Sequence, residues 1–254
     1  MDFFFREYGT GETIVILHGW LGVSDHWLSV GKFLASQGYN VLIPDLPNHG
    51  KSFHTEKFSF KEMGEILNCF CQAKDLKKPI LLAHSMGGKI AMEMIKENQD
   101  YFKALILVDI HFRRYERSDF NILLNSLLIQ TNISQFKNLS EFKTYFLEKG
   151  IDKEWVAVLL KNLEYKKNTL QWKSNIPMLA QEVDEVLAEV DFKRIHIPTL
   201  LIRGENSNYV KEEDCISFKE KFPNSKIVSV PNSGHWVQVD NPSFFLKEVI
   251  EFLK

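Results

Sequence analysis

The sequence predicts an α/β protein with a mostly parallel, doubly wound sheet and a helical insertion. Six short runs of β-branched residues and leucine recur along the chain, and helical stretches lie between them. The runs are continuously apolar rather than alternating, which indicates strands buried on both faces of a parallel sheet. Alternation of strands and helices with right-handed crossovers then gives a doubly wound sheet.

The strand and helix positions follow from these patterns. Helical spacing of apolar residues predicts helices over 26–37, 60–74 and 86–97, and a last helix that begins near Pro242, a residue favoured in a first helical turn. The six apolar runs that predict strands are Thr13–Leu17, Asn40–Ile43, Ile80–Ala83, Ala104–Val108, Thr199–Ile202 and Lys226–Val230.

The alternation stops between residues 113 and 190, where we find only helical patterns. We therefore predict a helical cap over 113–190 and an α/β core made of 1–112 and 191–254. The predicted cap helices are about 119–130, 140–149, 153–165 and 177–190. The cap is rich in phenylalanine and tryptophan, and we expect most of these side chains to form its own core and one or two to line a pocket.

Composition narrows the function classes. A chain of 254 residues with a net charge of −2 gives no electrostatic case for binding nucleic acid or an anionic membrane. No apolar run approaches the roughly 18–20 residues of a membrane span, and Met1–Tyr8 lacks the pattern of a secretory signal, so we expect a cytoplasmic protein without membrane insertion. The three cysteines have no metal-like spacing, which predicts free thiols and no metal site.

A candidate nucleophile follows the third of these strands. Ser85 stands between a predicted strand and a predicted helix, with Ala83 two residues before it and Gly87 two residues after it. Small residues are needed at these places because a sharp strand-to-helix turn crowds the backbone, and the turn exposes the serine hydroxyl at a helix N-terminus. Main-chain N–H groups there stabilise a developing oxyanion. The alternative is that Ser85 only caps the helix.

Together with two other loops, this turn resembles the α/β-hydrolase superfamily over nearly the whole chain except the insertion. His18-Gly19-Trp20-Leu21-Gly22 looks like the family's oxyanion loop, and Asp45–Ser52 looks like its Asp-x-x-x-His-Gly-x-Ser signature. The resemblance implies an α/β-hydrolase fold and an oxyanion hole made of the main-chain N–H groups of Trp20 and Met86. We interpret the Asp45–Ser52 loop as structural.

The candidate base is His235, in the sequence Gly234-His235-Trp236 after the last predicted strand. Histidine suits the role because its ordinary pKa lies near neutrality. The superfamily has its catalytic histidine in this loop, often as Gly-His. A role in loop packing is the alternative.

The candidate acid departs from the usual pattern of the superfamily. The usual place, after Thr199–Ile202, falls on Ser207, which carries no negative charge. Asp109 follows the strand Ala104–Val108 directly, beside the Ser85 strand. Small bacterial carboxylesterases whose acid follows the family's sixth strand resemble this arrangement, with serine at the usual acid position. We therefore assign Asp109 as the acid and Ser207 as a supporting hydrogen-bond partner of His235, with Glu205 as the alternative acid.

These residues predict a serine hydrolase of the carboxylesterase type that needs no cofactor. A Ser–His–Asp site with an oxyanion hole performs acyl transfer. The resemblance implies small or short-chain acyl esters as substrates, with acyl-CoA thioesters as a second class. C–C bond hydrolases and a lyase of the same fold share most of these motifs, and a hydrolase-like ligand receptor is a further alternative. The sequence names neither the natural ester nor the oligomeric state.

Overall fold

The structure, a computed structural model, describes residues 3–254, so Met1 and Asp2 of the predicted core lie outside the described residues. Within this range the strands, in chain order, are β1 (Phe5–Tyr8), β2 (Glu12–Leu17), β3 (Tyr39–Pro44), β4 (Ile80–His84), β5 (Ala104–Val108), β6 (Leu163–Lys166), β7 (Thr169–Trp172), β8 (Thr199–Gly204) and β9 (Ser225–Val230).

The α-helices of the same residues are α1 (Leu28–Ser36), α2 (Phe60–Ala73), α3 (Met86–Glu97), α4 (Asp119–Gln130), α5 (Leu139–Glu148), α6 (Lys153–Leu160), α7 (Ile176–Gln181), α8 (Val183–Leu187), α9 (Asp214–Lys221), α10 (Val237–Asp240) and α11 (Pro242–Leu253). None of the described helices has the length and apolar character that crossing a membrane requires. The predicted helix over 26–37 is α1, preceded by a 3-10 turn at Ser24–Trp27.

A seven-stranded sheet in the order β1-β3-β2-β4-β5-β8-β9 forms the centre of the molecule, and it confirms the predicted α/β class. All neighbours pair in parallel except β1, which runs antiparallel to β3. The six predicted strands are β2, β3, β4, β5, β8 and β9. The sequence did not predict β1, because its four residues include Arg6 and Glu7 and show no apolar run.

Helices cover both faces of this sheet, as the buried strands predict. On one face α1 and α11 pack against one group of strand side chains, with Leu34 and Phe245 fully buried. On the other face α2, α3 and the helices after β5 form a larger apolar core that includes Leu67 and Ile90. Strands β4 and β5 are buried along their whole length, which explains their continuously apolar sequences.

The parallel strands bring the predicted site loops together at one edge. Because β4, β5, β8 and β9 are neighbours with the same direction, the loops that follow their carboxyl ends meet there. Ser85 follows β4 and Asp109 follows β5 directly, and the loops after β8 and β9 carry Ser207 and His235.

The segment between β5 and β8, which we call the insertion (residues 113–190), differs from its prediction in two places. The predicted helix 153–165 ends at Leu160, and the chain then forms the antiparallel hairpin β6–β7. Lys167 and Asn168 have φ values of 52° and 61°, the backbone of a tight two-residue hairpin turn. The predicted helix 177–190 is two short helices, α7 and α8, and ends at Leu187.

Candidate active site

Ser85 occupies a strained turn between β4 and α3. Its φ of 52° and ψ of −124° lie outside the regions that ordinary residues favour, which costs about 1–3 kcal/mol and requires support from the surroundings. An ideal Cβ added to Gly87 would lie 2.6 Å from the Leu17 carbonyl oxygen and 2.5 Å from that of His18. The glycine two residues after Ser85 is therefore required for α3 to approach β2.

The loop Leu17–Gly22 lies against this turn. His18 fixes the loop, because its Nδ1 donates to the Gly19 carbonyl (2.9 Å) and its Nε2 accepts from the Leu46 N–H (3.0 Å). Burial lowers the pKa of His18 well below 6.5, so the ring is neutral and can both donate and accept. Within residues 3–254, neither the Trp20 nor the Met86 main-chain N–H has a hydrogen-bond acceptor. Both residues line the same cavity as Ser85.

Asp109 follows β5 directly, has a φ of 49° and is fully buried. Its Oδ1 accepts from the Gly204 N–H (3.1 Å), and its Oδ2 accepts from the Ser207 hydroxyl and from Nδ1 of His235 (2.7 Å). Hydrogen bonds to the charged form compensate the burial of a carboxylate. The structure thus brings Asp109, Ser207 and His235 into one network, but Ser207 donates to Asp109 and not, as the sequence predicted, to His235.

The bond to Asp109 determines the tautomer of His235. A carboxylate only accepts hydrogen bonds, so Nδ1 carries the proton and Nε2 is left free to accept one. The imidazole stacks on the Tyr209 ring, with centroids 3.7 Å apart and an interplanar angle of 16°. The His84 Nε2–H donates to the His235 carbonyl at 3.0 Å. Two neighbours therefore hold the orientation of this ring and its backbone.

The two rings packed against the imidazole, those of His84 and Tyr209, are uncharged at neutral pH. Burial lowers the pKa of His84 well below 6.5, and the nearby His235 lowers it further. Burial also raises the pKa of Tyr209 to about 12, with Asp109 acting in the same direction.

Glu205, the alternative acid, bonds to the turn after β9 rather than to His235. Its Oε2 accepts from the Asn232 N–H at 2.9 Å, in the turn after β9. The loop after β8 passes very close to the loop of His235, since a Cβ on Gly204 would lie 2.1 Å from the Gly234 carbonyl oxygen. In this loop Ser207, rather than Glu205, bonds to Asp109.

Ser85 and His235 open into a cavity of about 440 Å³. The sheet edge contributes the histidines and Ser85, together with apolar side chains such as Met86 and Ile110. The insertion contributes an apolar wall, in which Trp155 packs against Trp20 and Trp236 with ring centroids 5.9 and 5.1 Å apart. It also contributes polar side chains, which are Asn121, Lys153, Glu154 and Lys161. Further apolar lining residues from the insertion are Val158, Val183, Val186 and Leu187.

Sequence reasoning missed two residues of this site. His84, which the sequence did not mark as a site residue, lines the cavity with its ring 4.6 Å from that of His235. Tyr209 stood out in no motif, although it lies two residues after Ser207. Its N–H donates to the Ser207 hydroxyl oxygen (3.1 Å), so the loop after β8 holds both Asp109 and the imidazole.

The fold and the strand-end site are those of an α/β hydrolase, and the chain belongs to the α/β-hydrolase fold family, whose model matches residues 12–154 and 160–242. It resembles small bacterial esterases. A solved structure described as a marine microorganism esterase superposes with a TM-score of 0.94, is 32% identical and covers 99% of both chains.

Curated relatives span nearly the whole chain. The sn-1-specific diacylglycerol lipase ABHD11 of Mus musculus is 31% identical over 96% of this chain and 81% of its own length. The esterase YbfF of Escherichia coli strain K12 is 24% identical over 94% of this chain and 92% of its own length. The chain is therefore an α/β hydrolase whose relatives include esterases.

Proposed function

We propose that this protein is a serine carboxylesterase that hydrolyses small or short-chain acyl esters through an acyl-enzyme on Ser85. The observation that carries the proposal is the 2.7 Å hydrogen bond from His235 to the buried Asp109, with Ser85 on a strained turn in the same cavity. A base that is oriented by a carboxylate, together with a serine that lines the same cavity, is the arrangement that activates a hydroxyl for acyl transfer.

In the acylation step, Nε2 of His235 takes the Ser85 hydroxyl proton while Oγ attacks the ester carbonyl carbon. The Trp20 and Met86 main-chain N–H groups donate to the oxyanion of the tetrahedral intermediate. Asp109 stabilises the imidazolium that forms, with Ser207 as its supporting donor. When the intermediate collapses, the bond to the alcohol oxygen breaks, and His235 gives the proton to that oxygen.

In the deacylation step, a water molecule replaces the alcohol. His235 takes one proton from this water, whose oxygen attacks the acyl carbon on Ser85. Collapse of the second tetrahedral intermediate returns the proton to Ser85 Oγ and releases the carboxylic acid. The two steps need no metal ion or organic cofactor, because main-chain N–H groups stabilise the oxyanion, Asp109 stabilises the imidazolium and His235 transfers the protons.

The substrate class follows from the walls of the cavity. A volume of about 440 Å³ with tryptophan, valine and leucine side chains suits a small apolar acyl group. The names of the relatives, an esterase and a diacylglycerol lipase, support ester bonds as the target. We further propose that the insertion 113–190 acts as a cap over this cavity, and that acyl-CoA thioesters form a second substrate class.

The test is hydrolysis of p-nitrophenyl esters from acetate to palmitate. We expect the highest kcat/KM with short acyl chains and a loss of about 10⁴-fold or more in Ser85→Ala. Ser36→Ala, which changes an exposed serine on α1, is the matched control and keeps full activity. Full activity in Ser85→Ala would refute the proposal. Inactivity of the wild type across the series would favour a C–C bond hydrolase, a lyase or a ligand receptor instead.

A further inference from the structure

Lys89 is a fully buried lysine that the proposed mechanism does not use. It lies on α3, four residues after Ser85, and its relative exposure is 0%. Lysine is among the residues least often fully buried, because its charge is costly to remove from water. Within residues 3–254 no carboxylate forms a salt bridge with its ammonium group. Another set of partners must compensate this burial.

Those partners are carbonyl groups at the two ends of the insertion. Nζ donates to the Arg113 carbonyl (2.9 Å) on the outgoing segment, and to the carbonyls of Leu187 (3.2 Å) and Ala188 on the returning segment. An ammonium group has three N–H donors, so each donor has one acceptor. Lys89 therefore contacts both segments that connect the insertion to the core.

The two segments also bond to each other. The Tyr115 N–H donates to the Leu187 carbonyl and the Val190 N–H donates to the Phe112 carbonyl, both at 2.9 Å. We call residues 112–115 and 187–190 the junction. Lys89 joins this pair to the helix that begins directly after Ser85. Lys89 is thus one of several groups that attach the insertion to the core, besides the bonds from the Trp20 indole to the Leu179 carbonyl and from the Asn162 amide to the Leu21 carbonyl.

The junction continues to His235 through two tyrosines. The Tyr115 ring lies 4.7 Å from Nζ of Lys89, within cation–π distance. The Tyr115 hydroxyl donates to the Tyr209 carbonyl (3.0 Å) and accepts from the His111 N–H (2.7 Å). The Tyr209 ring stacks on the imidazole of His235 at 3.7 Å. A continuous set of contacts therefore links the junction to the proposed base.

The amine is costly to hold at this place. Burial lowers the pKa of Lys89 to about 7, with Arg113 and Arg114 acting in the same direction and Glu189 opposing them. The rings of Tyr115 and, at 5.6 Å, Phe60 of α2 complete its surroundings. A methionine would fill the same space without a charge. The cost of burying the ammonium group therefore indicates that Lys89 does more than fill space in the core, and that its three hydrogen bonds have a role.

We propose that Lys89 is a positioning residue that clamps the junction to α3 and, through Tyr115 and Tyr209, holds the imidazole of His235 in place. The clamp is independent of the proposed function, whereas the effect on His235 rests on it. Two measurements on Lys89→Met therefore separate the two parts. Ile95→Val, a packing change at a buried residue of the same helix, is the control.

The first measurement is amide hydrogen exchange by NMR, which needs no activity. In Lys89→Met we expect the Tyr115 and Val190 amides to exchange at least about tenfold faster, while amides of β4 and β5 keep their rates. Equal rates in Lys89→Met and the wild type would overturn the clamp. Faster exchange across the whole sheet would mean a general loss of stability and would also overturn it.

The second measurement is ester hydrolysis per active site, counted by labelling Ser85 with a fluorophosphonate. We expect kcat per labelled site to fall about tenfold in Lys89→Met and in Tyr115→Phe, with KM within twofold of the wild type, because the cavity wall is retained. An unchanged kcat per site in Lys89→Met would overturn the link to His235. A wild type that neither labels nor turns over esters would refute the proposed function, and the exchange experiment would still decide the clamp.

Discussion

The two halves of the cavity are held by different forces. At the sheet edge, Ser85 and Asp109 both have positive φ values, and hydrogen bonds fix Asp109 and His235 at defined atoms. On the insertion side, Trp155 and Val186 line the cavity through apolar contacts. A hydrogen bond depends on direction, and its stabilisation is lost when one partner is replaced. Apolar packing tolerates substitutions between apolar side chains of similar volume.

This difference orders the expected effects of substitution. Changes at the sheet edge remove a specific interaction, and the crowding around Gly87 and Gly204 leaves little room for compensation. Changes in the insertion alter the shape of the cavity wall. We therefore expect the sheet edge to control the rate of reaction and the insertion to control the choice among substrates.

The largest effect is expected at Asp109. Asp109→Asn keeps the shape of the side chain but removes the charge that stabilises the imidazolium, and its amide favours the wrong tautomer of His235. We expect kcat to fall by about 10⁴-fold. Glu205→Gln is the matched control, because Glu205 bonds to Asn232 and lies outside the network. Kinetics with p-nitrophenyl butyrate decide the assignment, and an equal loss in both variants would contradict it.

A second difference between the halves is their response to acid. The insertion contains no histidine, while His18, His49 and His84 are buried at the sheet edge. Burial lowers the pKa of His49 to about 4 and those of His18 and His84 well below 6.5. Each therefore binds a proton in the unfolded chain before it does so in the folded one. Folding stability from these groups is complete above pH 6.5 and is lost as pH falls toward 4.

We expect the free energy of unfolding to drop by about 2 kcal/mol between pH 7 and pH 5 for His49 alone, with His18 and His84 adding to it. Urea unfolding at several pH values measures this. In His49→Asn, which replaces the Nδ1 donor to the Pro47 carbonyl, the slope becomes shallower. The same slope in this variant would show that other groups carry the acid response.

Much of the sheet could be predicted because its signal is local. A run such as Ala104–Val108 is apolar at every position since both faces of β5 are covered, and the turn around Ser85 demands small neighbours wherever it occurs. The parallel order of β4, β5, β8 and β9 then brought the predicted residues to one edge. Their catalytic roles remain predictions.

What could not be predicted depends on contacts between distant segments. Tyr209 stacks on His235, and Lys89 bonds to Leu187 and Ala188, which lie 98 and 99 positions further along the chain. Neither contact leaves a periodic pattern in the sequence. The hairpin β6–β7 carries a mixed polar sequence because it lies on the surface of the insertion, where only Leu163 and Leu170 are buried. Short, exposed elements such as these have too few apolar residues to be distinguished from helix ends or loops.

A smaller effect on kcat than that of Asp109→Asn is expected at Ser207. Its hydroxyl donates to Asp109 Oδ2, beside the bond from His235. Ser207→Ala removes one donor to that oxygen, so the carboxylate is held less firmly beside His235. We expect kcat to fall by about tenfold, which corresponds to about 1.4 kcal/mol of activation free energy. Ser207→Thr, which keeps a hydroxyl, recovers most of the rate. The same loss in both variants would mean that space in this loop, rather than the hydrogen bond, sets the effect.

The smallest effect on rate is expected in the insertion, and it separates the two halves most sharply. Trp155 lines the cavity and contacts Trp20 and Trp236. Trp155→Leu therefore enlarges the cavity at its apolar wall and leaves the hydrogen-bonded groups unchanged. We expect kcat for acetate and butyrate esters to change by less than about fivefold, while the preferred acyl chain becomes longer. Trp172→Leu is the matched control, because Trp172 packs on Phe142 within the insertion and does not line the cavity. A large loss of kcat in Trp155→Leu at unchanged chain preference would mean that the insertion positions the reacting groups as strictly as the sheet edge does.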